Sequence, residues 1–371
     1  MVAEYRALIS HIIPQDIARG AQHYAKMISE RLEGRDHHEL VTIFAGQTDN
    51  LQTDHTLGVP SGILRRLGFD PRALIRLHRR LNEIEPDVIV AHGGEALKYA
   101  ALVRPRNSKL IYLRIGISTA KAANPMRRLV HSLLLKAPRV VVAVSASVRD
   151  EVVQRYGLDP DVVTLISNAR DETVFTPGTS RGDSAEPPKL IFLGHLTPTK
   201  RPELYIDLVV KLREKGLLLT AHMVGDGPLL DKMKARGAAA DVAVLGRRGD
   251  IPELLRCSDI LVFTSRSEGE GMPGVLIEAS LVGLPIVTTD VPGARDVVDD
   301  GVTGFVVPED AIDQFVQRTE QLLSDPLLRT TMGLRSRVRA LERFTFAATV
   351  RSWSNLIESL LDQPRPNQPL G

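Results

Sequence analysis

Cysteine is nearly absent from this chain: Cys257 is the one thiol in 371 residues. A lone cysteine rules out an intramolecular disulfide and fits a reducing compartment. Aromatic residues are also scarce, at 4%, and nowhere form a platform on which bases could stack, which argues against nucleic-acid binding. No apolar run approaches the roughly 20 residues needed to cross a bilayer. The opening Met1-Val-Ala-Glu-Tyr-Arg6 lacks the apolar core of a secretion signal. The expectation is a soluble, cytoplasmic protein. No Cys/His cluster has zinc-ligand spacing, and the Asp-x-Asp pair, Asp159-Pro-Asp161, reads as a turn rather than a cation site. Neither half opens with G-x-G-x-x-G, which disfavours a nicotinamide-dependent dehydrogenase. No metal and no other cofactor is expected.

What is present fits an α/β protein of two domains. The chain is 43% hydrophobic and 25% charged, and long enough for two cores. Apolar runs at 7–13, 40–44, 88–91, 110–113 and 140–144 read as buried strands of a parallel sheet, separated by helical periodicity. A Pro/Gly/Ser-rich stretch at 176–188 reads as a linker. The pattern then restarts with runs at 190–193, 220–224, 242–245, 260–263, 286–288 and 304–307. The expected domains are 1–177 and 178–345, followed by a helix at 346–361 and a flexible tail at 362–371. The net charge of +2 conceals 24 Lys+Arg against 19 Asp+Glu in residues 1–177, and 23 against 26 in the remainder. Part of the basic excess lies in 61–81, where arginines interleave with leucines. Such a helix can lie on an anionic membrane, although an outer helix with its apolar stripe in the core is the favoured reading.

The most informative segment is Glu268-Gly-Glu270-Gly271-Met272-Pro273-Gly274-Val275-Leu-Ile-Glu278. It follows the strand-like run 260–263 and leads into an apolar helix that Gly283 stops. A helix start offers unpaired N–H groups and a partial positive charge, both suited to a phosphate. Gly271 and Gly274 let a ligand approach the backbone closely. Glu278, one turn into the helix, is placed to accept hydrogen bonds from a ribose diol, and Glu270 faces the other end of such a ligand.

This segment resembles the E-x7-E motif of retaining glycosyltransferases of the GT-B fold, the family 4-like group 1 enzymes that use nucleotide-activated sugars. The resemblance implies two doubly wound Rossmann-like domains facing across a cleft, with the last helix crossing back to the first domain. It gives Glu270 to the donor sugar and Glu278 to the ribose, with Met272, Pro273, Gly274 and Val275 in the loop and helix start that hold the donor. It is strongest from residue 190 to 308. Leu193-Gly194-His195-Leu-Thr-Pro-Thr-Lys200-Arg201 is similar to the family's G-R-L-x-x-x-K pattern. Lys200 matches the lysine on the donor diphosphate, His195 stands where arginine is usual, and Arg201 is a candidate substitute. Cations there would stabilise the departing diphosphate.

Gly225-Asp-Gly227-Pro resembles the family's G-x-G-P turn, and Gly246 and Arg247 fall where its base pocket forms, although Arg247 reads equally as a plain surface charge. In the first half, Gly20 holds the position of a glycine that lets acceptor and donor approach, and His92 reads equally as a residue lining the acceptor side or as a structural histidine. Arg114 stands where many relatives have a histidine pointing at the sugar. Asn168 and Asp171 resemble the family's N-G-x-D segment.

The implied reaction moves a hexosyl group, with retention, from a nucleoside diphosphate sugar, UDP favoured over GDP, to a glycan, lipid or small-molecule acceptor hydroxyl. Bacterial cell-envelope glycan, glycolipid or secondary-metabolite synthesis is its expected setting, in the cytoplasm or peripheral to the inner face of the cell membrane. A non-catalytic nucleotide-sugar binding protein and a sugar-nucleotide epimerase on the same scaffold are the alternatives.

Overall fold

Runs of Val, Ile and Leu without polar alternation must be covered on both faces, and here they form two parallel sheets flanked by helices. The computed structural model describes residues 6–15, 20–32, 34, 36–45, 52–66, 68–117, 125–178, 186–268 and 270–362. Residues 1–5, Arg19, Leu67, the middle of the proposed linker and the tail beyond 362 lie outside them.

Among the described residues the first sheet has seven strands: β1 (Leu8–Gln15), β2 (His37–Phe44), β3 (His55–Val59), β4 (Val88–His92), β5 (Lys109–Arg114), β6 (Val140–Ala143) and β7 (Val163–Leu165). Their spatial order is β3-β2-β1-β4-β5-β6-β7. The second has six: β8 (Lys189–Leu193), β9 (Thr220–Val224), β10 (Ala243–Gly246), β11 (Ile260–Phe263), β12 (Ile286–Thr289) and β13 (Gly304–Val307), ordered β10-β9-β8-β11-β12-β13. In both, the order reverses beside the first strand, at β1/β4 and at β8/β11. That is the doubly wound pattern, and ligands of such sheets bind beyond the strand carboxyl ends at the reversal. The expectation missed β3 and β7. Both are edge strands; β3 is mostly exposed and polar, and β7 is three residues long, so neither carries a buried apolar run.

The chain divides into two compact units. One comprises 1–115, 120–167 and 349–371, and the other 116–119 and 168–348. The boundary therefore falls at 167/168, ahead of the proposed linker, because 168–178 packs with the second unit. Helix Phe346–Leu361 contributes its later part to the first unit, where the Trp353 indole donates to the Tyr24 hydroxyl at 2.9 Å.

The basic stretch 61–81 is not one helix. Ile63–Arg66 is a single turn, Gly68 takes φ +102, and a second helix, Pro71–Ile84, starts from an Asp70 cap with proline in its first turn. Ala73, Leu77 and Leu81 are its buried stripe. Arg65 binds Glu95 through Nε and Nη2, Arg72 pairs with Asp70, Arg76 donates to the Leu57 carbonyl and Arg80 pairs with Glu39. The arginines of this stretch are thus largely occupied within their own unit.

Beneath the first sheet three strands align histidines on one face. His11 Nδ1 lies 3.1 Å from His92 Nε2, and His11 Nε2 lies 3.0 Å from His38 Nδ1. Burial pushes the His92 pKa down to about 3, and burial with neighbouring His37 lowers His38 to about 4. Burial and the two flanking rings lower His11 as well. Unfolded histidines titrate near 6.5, so as pH falls below that value the unfolded chain takes up protons that the folded rings refuse. Stability is complete above pH 6.5 and is lost as pH falls from there toward the folded values. Each ring that stays neutral to pH 5 removes about 2 kcal/mol between pH 7 and 5. Denaturant unfolding of the first unit is expected to show this slope, and His92→Gln to flatten it; an unchanged slope in the variant would remove His92 from the account.

Candidate functional site

At the reversal point of the second sheet, the loop after β8 and the loop after β11 are joined by hydrogen bonds. The Arg266 N–H donates to the Thr199 carbonyl at 2.8 Å, and the Thr264 hydroxyl is 2.9 Å from the carbonyls of both Lys200 and Arg201. Ser265 Oγ reaches Glu270 Oε1 at 2.5 Å, and Lys200 Nζ donates to the same oxygen. The Lys200 ammonium also lies 5.1 Å from the centroid of the Phe263 ring. Glu309, just beyond β13, accepts from the Ser267 N–H at 2.9 Å and from its hydroxyl, and the Thr289 hydroxyl holds the Ser265 carbonyl at 2.6 Å. Lys200 and Glu270 are therefore mutually neutralised, with Glu270 7% exposed.

Glu270 leads into helix Gly274–Val282, which is apolar on nearly all sides: Leu276, Ile277, Ala279, Ser280, Leu281 and Val282 are buried. Its first turn has no side-chain cap, and Gly283 ends it in the left-handed conformation at φ +88. Glu278, partly exposed, is the one charged residue in the helix. Gly271, Met272 and Pro273 are buried in the approach to it, and Gly274 and Val275 are half-buried. Arg170 Nε donates to Glu278 Oε1 at 2.5 Å, and Asn168 Nδ2 donates to the Met272 carbonyl at 3.0 Å. Asp171 caps its own turn by accepting from the Thr173 N–H.

Several candidates have partners that the sequence does not reveal. His195, half exposed, has Nδ1 3.1 Å from Asp226 Oδ1, and Arg247 approaches the other oxygen of Asp226 at 3.9 Å. Gly194 is fixed by its N–H to the Val224 carbonyl, and the Gly246 carbonyl accepts from Gly225. The Arg201 guanidinium donates to the Glu309 carbonyl at 2.6 Å and faces Asp310 at 3.6 Å.

In the first unit Gly20 opens helix Gly20–Leu32, and His92 ends β4, both at the β1/β4 reversal. His92 is 2% exposed and bonded to His11, while its Nδ1 has no partner among the described residues. It is a core histidine rather than a surface-lining one. Arg114 is likewise taken up internally, with Nη2 2.7 Å from Glu151 and Nη1 2.8 Å from His131 Nε2. Burial, and the nearby Arg114 charge, push the His131 pKa down to about 4, so its ring accepts that bond as a neutral group. A buried guanidinium needs such compensation, and Glu151 lies too far along the sequence for the pairing to be read from Tyr112-Leu-Arg114.

Sequence reasoning missed Thr264, Ser265, Glu309 and Arg170. Arg170 sits inside the segment around Asn168 and Asp171, so its charge was visible but its partner was not. Among the described residues no group of three His, Cys, Asp or Glu is placed to hold a metal ion, and no helix is long and apolar enough to cross a membrane. Asp159 caps a turn by accepting from the Asp161 N–H.

Doubly wound sheets bind ligands beyond the strand carboxyl ends at the reversal, and here a carboxylate, a lysine and an uncapped helix start lie there. The model of the family described as "Glycosyl transferases group 1" matches residues 180–339, and that of "Glycosyltransferase Family 4" matches 18–174. The UDP-Gal:alpha-D-GlcNAc-diphosphoundecaprenol alpha-1,3-galactosyltransferase of Escherichia coli is 24% identical over 282 residues, 70% of this chain and 72% of that protein. Anabaena HepE, solved in complex with UDP-glucose, superposes with a TM-score of 0.79 at 19% identity, over 95% of this chain and all of that one. Sucrose-phosphate synthase from Thermosynechococcus elongatus superposes with a TM-score of 0.78 at 17% identity, over 96% and 99%. The chain belongs to the family 4-like, group 1 glycosyltransferases and has the GT-B fold. It is an enzyme of glycosyl transfer.

Proposed function

We propose that this enzyme moves a hexosyl group from a UDP-sugar to an acceptor hydroxyl, with retention at the anomeric carbon and without a metal. The observation that carries the reading is the Lys200–Glu270 pair, fixed by Ser265 at the β8/β11 reversal one helix start away from Glu278. An entering donor exchanges that pair for two ligand contacts: Lys200 turns to the diphosphate, Glu270 to the sugar hydroxyls, and Glu278 to the ribose. The anomeric C–O bond to the diphosphate breaks as a bond to the acceptor oxygen forms on the same face, and the acceptor proton passes to the leaving diphosphate. Positive charge aimed at that leaving group supplies much of the rate.

The second unit is the donor side and the first the acceptor side. UDP is favoured over GDP because the E. coli relative is named for UDP-Gal and the HepE complex holds UDP-glucose. The same relative is named for an alpha-D-GlcNAc-diphosphoundecaprenol acceptor, which supports a glycan or lipid-linked acceptor here.

A calorimetric panel of UDP, GDP, ADP and their common sugar conjugates, with EDTA and then with magnesium, tests the reading. Binding of a UDP-sugar in EDTA is expected; silence from every nucleotide would overturn it. In the same assay Glu278→Ala should weaken UDP itself by about tenfold or more, whereas Glu270→Ala should leave UDP within about twofold and weaken the intact UDP-sugar. Equal losses for both ligands in both variants would contradict the division of roles.

A further inference from the structure

We propose that Arg170 is a further donor-binding residue, a guanidinium that engages the diphosphate once Glu278 turns to the ribose. The inference rests on the nucleotide-sugar reading above. In the structure, Arg170 lies across the first residue of helix Gly274–Val282: a Cβ added at Gly274 would overlap Arg170 Nη2 and fall 2.5 Å from Cζ. The absence of a side chain at Gly274 is what admits the guanidinium there.

The electrostatics of this position are unfavourable without a ligand. A helix start carries partial positive charge, so a cation laid on it is repelled, and this helix has no side-chain cap to offset the charge. Glu278 compensates through the 2.5 Å bond from Nε. Nη1 is spent on the Ala169 carbonyl at 2.9 Å, while Nη2 makes no hydrogen bond among the described residues. When ribose hydroxyls claim Glu278, Arg170 loses its counter-ion while standing beside a second positive group. A diphosphate between them satisfies both, and a guanidinium suits phosphate oxygens because its donors form a planar fork.

The backbone keeps the side chain within reach. The Arg170 N–H donates to the Phe344 carbonyl at 3.0 Å, and Asn168, two residues earlier, holds the Met272 carbonyl just before the helix. Arg170 would supply a guanidinium where, in the loop after β8, His195 is occupied by Asp226 and Arg201 by Glu309 and Asp310.

The test compares UDP and uridine binding to the full chain by calorimetry and ligand-observed NMR, in the parent, Arg170→Gln and Arg170→Lys; GDP and guanosine are run in parallel to cover a guanine preference. Arg170→Gln is expected to lose about tenfold or more in diphosphate affinity while nucleoside affinity stays within about twofold, and Arg170→Lys to recover part of the loss. Unchanged or tighter UDP binding by Arg170→Gln would overturn the proposal and make Arg170 a plug. Equal weakening of UDP and uridine would also overturn it, leaving Arg170 a residue that merely orders Glu278. A parent that binds no nucleotide defeats the nucleotide-sugar reading itself, and this inference with it.

Discussion

Replacing Lys200 by alanine is expected to lower kcat by about 100- to 1000-fold, with a much smaller change in the affinity for free UDP. The reason is the difference between ground and transition states. In the proposed reaction, charge on the leaving diphosphate grows as the anomeric bond breaks, so a cation aimed at it helps the transition state more than the bound donor. The geometry sharpens this expectation. Lys200 is positioned by Phe263 beneath it and by Glu270 beside it, and the backbone that carries it is clamped through Thr264 to the strand that also leads to Glu270. Lys200→Arg should fall between parent and alanine, since it keeps the charge in a different shape. Ser265 still donates to Glu270 in the alanine variant, so the carboxylate keeps one partner. Steady-state release of nucleotide diphosphate measures the effect. A kcat within about threefold of the parent would show that another group carries leaving-group stabilisation.

Gly225→Ala is expected to be the most damaging single substitution for the second unit, costing on the order of 4 kcal/mol of stability. Gly225 has φ +145, and an added Cβ would fall on the Gly194 carbonyl oxygen. Gly227 repeats the arrangement at φ +144, where a Cβ would come 2.7 Å from the Leu196 carbonyl. The two loops lie back to back, joined by the Gly194 N–H to Val224 and by the Leu196 N–H to Asp226 at 2.6 Å. A methyl group between them must displace backbone rather than a flexible side chain, and the displaced backbone leads directly to Lys200. Nucleotide binding should therefore weaken with stability. Denaturant unfolding and UDP titration of the same preparation check both effects; wild-type values for both would mean that the loops separate at little cost.

Parallel strands buried on both faces need continuous apolar runs, so β1, β4, β5, β8 and β11 are evident as segments of sequence. Edge strands are free of that demand, and β3 and β7 left no such signal. Helix Gly274–Val282 was legible from both ends, because the glycine-rich approach and Gly283 are local chemistry. Asp70 and Pro71, which divide the basic stretch at 61–81, are equally local signals. The partners of Arg114, Arg170, Arg201 and His92 were not legible. Glu151, Glu278, Glu309 and His11 approach them through the winding of the sheets, and nothing in the spacing along the chain announces the pairing.

Taken alone, the sequence determined the elements and the types of chemical group available: two runs of buried strands, a paired-carboxylate segment at a helix start, and a lysine loop behind a first strand. Those follow from burial and backbone rules that act over a few residues. The tertiary structure decided which charges are free to meet a ligand. It satisfied Arg201 with Glu309 and Asp310, enclosed Arg114 with Glu151, drew His92 into a chain of neutral imidazoles, and laid Arg170 on Gly274 beside Glu278. A charge removed from water must find its counterpart within a few ångströms, and which groups come that close is settled by how the strands are ordered in the sheet.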